Sequence, residues 1–354
     1  MTARLRTLPP DVAELLVRRH GVVDLATAAR AGVEEGRLRR LAAAELLVRL
    51  APGCYASAAV LSAASSWERH RLRSRAFALF SDGSTVLTGW SAAVMWHLPT
   101  VGPPPARVTA IRPHGAGSVR HGRYADVRIV TVPPGQLRRA QDIDLVSPAW
   151  AVLDAARSGA IVPALVADDA ATASGDDLAA TVLAMARWPG VGRARWVAEH
   201  ADPLAESPLE TLGRFTCLQF DLPLPVANAW VGAVGPEYRV DGLWPHHGVA
   251  FEADGALKYD NRPDASLIVA RQGEREWRLR RLGLDVVRFG WDVAWRNRDE
   301  LAARFAAVLR DNAGRDRPVR WWKHLPGIGA VEPQPADWPS RQPSGVVLPA
   351  GWNR

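Results

Sequence analysis

Cysteine is scarce in this 354-residue chain: there are two, Cys54 and Cys217. Two thiols exclude a disulfide framework and a four-thiolate zinc site. Both are expected to sit reduced in apolar surroundings, which fits the cytoplasm. No run of about 18 apolar residues occurs, so no membrane span and no membrane partner are expected. The stretch Met1 to Pro10 lacks the apolar core of a signal peptide. No internal repeat is present. His97, His114 and His121 fall on different elements, which argues against a metal site among them.

What is present is an ordinary 48% hydrophobic fraction, suited to globular folding. The length favours two or three domains over one core. A formal charge of +7 and a pI near 10.2 favour an anionic partner, nucleic acid first.

Residues 1–56 carry three short helical patterns, at about Pro10–Arg19, Leu25–Ala31 and Glu34–Glu45. Two short strands follow around a Pro52-Gly53 turn. That order is the winged helix-turn-helix. The third helix is expected to enter the major groove with Arg37, Arg39 and Arg40, and Arg49 near the wing to meet phosphate. Gly36 inside that helix costs about 1 kcal/mol relative to Ala. The alternative is a small helical domain with solvated arginines, or one that binds protein. The segment resembles the N-terminal domain of AbiEi-type antitoxins, regulatory halves of type IV toxin–antitoxin systems. The residues that carry the likeness are Gly21-Val-Val-Asp24, Ala28 to Val33, Leu38-Arg-Arg-Leu41 and Pro52-Gly-Cys-Tyr55. The resemblance implies DNA and a cognate toxin as partners.

Residues 57–200 read as a mixed α/β middle region. An Arg-rich helix is expected at Trp67–Phe80, strands at Arg107–Ile111 and Ala125–Val132, and a basic loop at His114–Arg123. Ser147 is placed to cap a helix that opens with Pro148. Two or three helices fill 161–200, and no constellation there carries chemistry. Ser91-Ala-Ala and Ser147 to Asp154 resemble the region that follows AbiEi-like heads in larger proteins.

Residues 203–311 hold the candidate chemistry. Trp244 and Val249 bracket the turn Pro245-His-His-Gly248, so Asp241 is expected across from Glu252 on neighbouring strands. Such partners have Cβ atoms roughly 5 Å apart on one face. Asp254 shares that face, and three carboxylates would converge. Like charges there need an offset: a divalent cation on oxygen ligands, or raised carboxyl pKa values. The alternative is a structural set, with Asp241 and Glu252 paired to Arg239, Arg275 or Arg288. Glu210, in Ser207-Pro-Leu-Glu210, is either a capping-box residue or a fourth acid beside the cation. His246 and His247 read as turn residues.

The predicted order of helix, three strands, helix, strand, helix is that of the restriction-endonuclease-like fold. This half resembles the Vsr-like endonuclease domains of the PD-(D/E)xK superfamily, in an uncharacterised actinobacterial branch. The likeness rests on Ser207 to Glu210, Arg239-Val-Asp241, Glu252 to Tyr259, Arg275 to Arg280 and Val286 to Phe289. It implies Mg²⁺ held by Asp241 and Glu252, with Lys258 as the nearby cation and Asp254 and Glu210 in the same site. One departure is visible: the superfamily places lysine two residues after the second acid, and this chain has Asp254 there.

Residues 312–354 are rich in proline and are expected to be largely irregular, with Trp321 and Trp322 packed on the preceding domain. The expectation is therefore a multidomain α+β protein. It has a winged helix-turn-helix, a mixed α/β middle region, a restriction-endonuclease-like domain and a tail. The function expected is DNA binding with Mg²⁺-dependent phosphodiester hydrolysis. The alternative is a non-catalytic, antitoxin-like regulator that keeps the nuclease fold for binding.

Overall fold

The computed structural model describes residues 7–81, 83–113, 120–173, 178–255, 265–315 and 318–350. The chain divides into two compact units, 1–159 with 175–198, and 160–174 with 199–354.

The first unit opens with Pro10–Arg18 (α1), Val23–Asp24 (β1), Leu25–Arg30 (α2), Glu35–Ala43 (α3), Leu47–Ala51 (β2) and Cys54–Ser57 (β3). Val12, Leu15 and Leu16 lie on one face of α1 and bury with Leu38 and Leu41 of α3. Val23, Leu47 and Tyr55 close the same core. Asp24 caps α2 by accepting the Thr27 N–H at 2.9 Å, an interaction that typically contributes about 1 kcal/mol. Pro52 and Gly53 make the wing turn, and Gly53 takes a φ of 71° that suits glycine. The wing has one strand more than the hairpin expected: β1 pairs with β3, giving the order β1-β3-β2. Two residues are too short a stretch to show a period-two pattern.

Ala58–Ala63 (α4), Ser66–Ser81 (α5), Val86–Leu87 (β4), Gly89–Ala93 (α6), Val108–Arg112 (β5), Arg120–His121 (β6), Ala125–Ile129 (β7), Leu137–Ala140 (β8), Ile143–Val146 (β9) and Pro148–Ser158 (α7) follow. Six strands form a mixed sheet in the order β6-β7-β5-β4-β9-β8. Ser147 caps α7 through the Trp150 N–H at 3.2 Å. On α7 the fully buried Asp154 accepts from Thr88 Oγ1 and from Arg157 Nη2, each at 2.7 Å, and pairs with Arg128. Burial pushes its carboxyl up, but the two guanidiniums outweigh burial and hold it below the ordinary carboxylate range. Ile161–Ala173 (α8) groups with the second unit, Leu178–Ala184 (α9) with the first, and Val191–His200 (α10) runs across the boundary. The basic loop expected at His114–Arg123 lies largely outside the described residues.

In the second unit come Pro208–Gln219 (α11), Val226–Val231 (β10), Tyr238–Trp244 (β11), Val249–Ala253 (β12), Ala265–Arg281 (α12) and Asp285–Phe289 (β13). A π-turn at Asp292–Arg296, then Arg298–Asp311 (α13), Trp321–Leu325 (β14) and Gly329–Val331 (β15) complete it. The sheet order is β13-β12-β11-β10-β14-β15. β10, β11 and β12 form an antiparallel meander, and β13 returns parallel to β12. The crossover through α12 makes that parallel pairing possible. Phe251, Phe289, Phe305 and Trp244 cluster with ring centroids 5.2–5.8 Å apart. Gly213 lets α11 settle on this cluster, since a Cβ there would lie 2.7 Å from Phe289 Cζ.

The tail departs from the irregular chain expected. β14 adds to the sheet edge, with Trp230 opposite Trp322 and Val231 opposite Trp321, and Trp321 and Trp322 are both buried. Proline spacing hid this, because the prolines stop just short of the strand and resume after it. Among the described residues, no helix is long and apolar enough to cross a membrane.

Candidate functional site

The hairpin of β11 and β12 pairs Trp244 with Val249, Leu243 with Ala250 and Gly242 with Phe251. Carried one residue beyond its last paired step, that register sets Asp241 against Glu252. Gly242 is required here, because the Phe251 ring lies where any side chain would go. On the other side of β11 the ladder to β10 runs Ala227–Gly242 and Ala229–Val240, which leaves Asn228 opposite Asp241. On the far side of β12, Glu252 is in register with Arg288 of β13. One polar row thus crosses four strands: Asn228, Asp241, Glu252, Arg288.

Each member of the row has defined partners. Asp241 accepts the Ala253 N–H through Oδ2 at 2.7 Å. Burial pushes its carboxyl up to about 6, helped by the charges of Glu252 and Asp254 and opposed by the Ala253 N–H and Arg275. The buried Glu252 receives Arg275 of α12, Nη2 to Oε1 at 3.0 Å and Nε to Oε2 at 3.4 Å. Arg275 also donates to the Arg239 carbonyl. Asp254 is held by Arg288 Nη1, 3.3 Å from each oxygen, and Arg288 also pairs with Glu276.

Glu210 sits at the start of α11, where Ser207 Oγ accepts the Glu210 N–H at 3.3 Å. Its carboxylate reaches back to the Glu206 N–H at 2.9 Å and accepts from Asn228 Nδ2 at 2.8 Å. The reach goes to Glu206, one residue before the cap, so the capping box is displaced by one position. Burial pushes the Glu210 carboxyl up, and the charge of Asp241 adds to this. Glu210 therefore both caps backbone and adjoins the acid row.

Asp241, Glu252, Asp254 and Glu210 are thus neighbours. Lys258 lies outside the described residues. Asp254 turns to Arg288, and among the described residues no three His, Cys, Asp or Glu side chains are grouped closely enough to hold a metal ion. The three carboxylates share one patch, close enough for the charges of Glu252 and Asp254 to act on Asp241, while Asp254 and Glu210 hydrogen-bond to other partners. Arg239, one of the arginines expected beside the acids, instead forks onto Glu206 at 2.7 and 2.6 Å. Nothing in the local sequence marks Asn228. Its φ of 48° is a signal visible only in the backbone, in a region that asparagine tolerates better than most residues.

In the N-terminal domain the arginines divide. Arg37 forks onto Asp11 of α1 at 2.5 and 2.9 Å and is half-buried. Arg39 pairs with Glu35 one turn away. Arg40 on α3 and Arg49 on β2 are exposed. The cysteines behave as expected: both are buried and free, and burial pushes the Cys54 thiol up to about 12 and the Cys217 thiol up as well.

The helices and three-stranded wing at residues 10–57 define a winged helix-turn-helix. Residues 10–58 match the family model for AbiEi antitoxin transcriptional regulators, so the chain carries an antitoxin-type regulator domain at its N-terminus. The chain is also 30% identical over 179 residues to two Mycobacterium tuberculosis proteins, uncharacterized protein Rv2248 (strain H37Rv) and uncharacterized protein MT2308 (strain CDC 1551). That stretch is 49% of this chain and spans 65% of the length of those relatives. A crystal structure of the RV2827C protein from Mycobacterium tuberculosis overlays on 58% of this chain and 81% of that one. Its identity is 14% and its TM-score 0.35, too loose to define a shared fold.

Proposed function

We propose that this is a cytoplasmic DNA-binding protein in which the N-terminal winged helix grips duplex DNA. In this reading the C-terminal unit is a restriction-endonuclease-like, Vsr-like domain that hydrolyses a phosphodiester with Mg²⁺. The observation that carries the nuclease half is the Asp241–Glu252 pair set opposite each other on adjacent strands. The order of α11, three antiparallel strands, α12 and a parallel strand supports it. The regulator-type match of residues 10–58 and the net charge of +7 support the DNA-binding half. The same match supports a toxin protein as a second partner.

The residues present fit a hard divalent cation in donor type. Mg²⁺ is commonly held by one or two carboxylates, with water and substrate phosphate completing its shell. Burial is the first cause of the raised Asp241 carboxyl, and the repulsion from Glu252 and Asp254 that adds to it is of the kind a cation offsets. Asp241 and Glu252 would hold the ion, which supplies an acidified water and polarises the phosphate. The Ala253 N–H fixes the Asp241 carboxylate. On the neighbouring strand, Asn228 is held by Glu210. Arg275 holds Glu252.

A second reading, a regulator whose nuclease fold serves binding only, is favoured by the arginine on Glu252 and by Asp254 standing where the superfamily has lysine. Plasmid and short-duplex cleavage over Mg²⁺ and Mn²⁺ separates the two. The nuclease reading expects cleavage by wild type, loss of it in Asp241→Ala, and unchanged duplex affinity. Absence of wild-type cleavage across metals and substrates, with salt-dependent DNA binding kept, gives the regulator. Binding with little salt dependence would instead indicate a protein-interaction module.

A further inference from the structure

The chain has lysine only at 258 and 323, and the position two residues after Glu252 is an aspartate already held by Arg288. Among the described residues, the cation in contact with Glu252 of the acid pair is a guanidinium. Arg275 comes from α12, contacts both oxygens of Glu252 and donates a further bond to the Arg239 carbonyl on β11. It therefore ties one helix to both strands of the hairpin. Glu252 is 8% exposed, so without Arg275 its charge is buried beside Asp241 with no counter-ion among the described residues.

Resting on the nuclease reading above, we propose that Arg275 is a gate. Its guanidinium neutralises Glu252 in the metal-free protein and has to leave before both carboxylate oxygens are open to a divalent cation. It is a positioning residue in the resting state. Its release is the step that couples α12 to loading of the acid pair. A forked arginine suits this role, since two directed hydrogen bonds hold the carboxylate in one rotamer and break together.

Three features argue for a gate over a plain structural salt bridge. The arginine side chain is 34% exposed whereas the glutamate is nearly enclosed, so Arg275 has a route to solvent. Glu252 follows Phe251, the partner of Gly242, so the same register carried one residue further sets it against Asp241, and no other side-chain hydrogen bond to its carboxylate is found among the described residues. Finally, a purely structural pair would be expected to satisfy the acids fully. Here Asp241 remains crowded and carries no side-chain counter-ion within hydrogen-bond distance among the described residues.

The test is Mn²⁺ binding by the full chain without DNA, followed by titration calorimetry and by the electron paramagnetic signal of free Mn²⁺. Arg275→Gln removes the competing charge. It is expected to bind Mn²⁺ about tenfold more tightly than wild type, because the ion no longer displaces a charge-assisted pair. Mn²⁺ should also raise its melting temperature by more than it raises that of wild type. Arg275→Lys keeps the charge but loses the fork, and is expected to fall between. Equal or weaker Mn²⁺ binding by a folded Arg275→Gln overturns the gate while leaving the metal site standing. If that variant does not fold, the same result with Arg275→Lys overturns it. No Mn²⁺ binding by wild type or by either folded variant at millimolar ion defeats the metal reading itself, and the gate with it.

Discussion

Asp241→Asn should make the metal-free protein more stable at neutral pH. The amide is close to isosteric, and its carbonyl oxygen still accepts the Ala253 N–H that Asp241 Oδ2 accepts at 2.7 Å. What it removes is a charge in a poor place. The carboxyl rises from an ordinary 3.8 to about 6 on folding, with burial the first cause and Glu252 the main repulsion. At about 1.36 kcal/mol per tenfold change in proton affinity, the ionised form costs the native state roughly 3 kcal/mol. Partial exposure lowers that to about 1–3 kcal/mol. The direction follows from which state holds the proton more tightly. The folded value lies above the unfolded one, so the penalty is absent below about pH 4, grows between about 4 and 6, and is complete above. The variant should therefore match wild type at about pH 4 and exceed it by about 1–3 kcal/mol at about pH 7.5 in EDTA. Urea titration at several pH values measures this, and hydrogen exchange over residues 238–253 localises the gain. A variant less stable than wild type at neutral pH in EDTA would mean that the ionised Asp241 is favourably paired, and the crowded-acid account would be wrong.

Gly36→Ala should stabilise α3 by up to about 1 kcal/mol, since the added methyl meets only Arg40 Nη1 at 3.5 Å; a lower melting temperature would show that the glycine is needed for the backbone. Arg40→Ala and Arg49→Ala should each weaken duplex binding and flatten the salt slope by about 1, as read by fluorescence anisotropy. Arg37→Ala should instead lose less than about 1 kcal/mol of stability with the slope nearly unchanged, because its fork already holds Asp11; an equal drop in slope would place Arg37 on phosphate. Asp154→Ala strands the buried Arg157 and its neighbour Arg128, and should cost about 3–5 kcal/mol in thermal or urea melts; a loss under about 1 kcal/mol would mean that those arginines find other partners.

The long periodic elements were legible because each has one apolar face or a capping residue that marks its end. Val12, Leu15 and Leu16 announce α1, and Ser147-Pro148 and Ser207-Pro208 announce α7 and α11. The short strands were not. Val23–Asp24 is two residues long, and Leu137–Ala140 exposes both Arg138 and Arg139, so no alternation stands out. β14 was hidden by its own composition. Two adjacent tryptophans show no period, and their place in the sheet comes from pairing with β10 beside them, about 90 residues earlier in the chain.

The acid pair was legible for a different reason. Pro245 to Gly248 sets the hairpin's register, and a register chooses faces for every residue along both strands. What the turn does not choose is where each charge goes next. Asp254 has the right parity to join Asp241 and Glu252, yet it goes to Arg288, which arrives on a parallel strand after α12. Glu252 likewise goes to Arg275, from the helix between those strands. Pairing of this kind depends on crossover geometry that local spacing does not carry. The same geometry explains why one row can hold four polar groups in this sheet. The rows on either side of it, Ala227-Gly242-Phe251-Val287 and Ala229-Val240-Ala253-Phe289, are apolar throughout. They bury the strands well enough to carry one charged row between them. The arginines of β13 and α12 supply the counter-charge from the side on which the acids point.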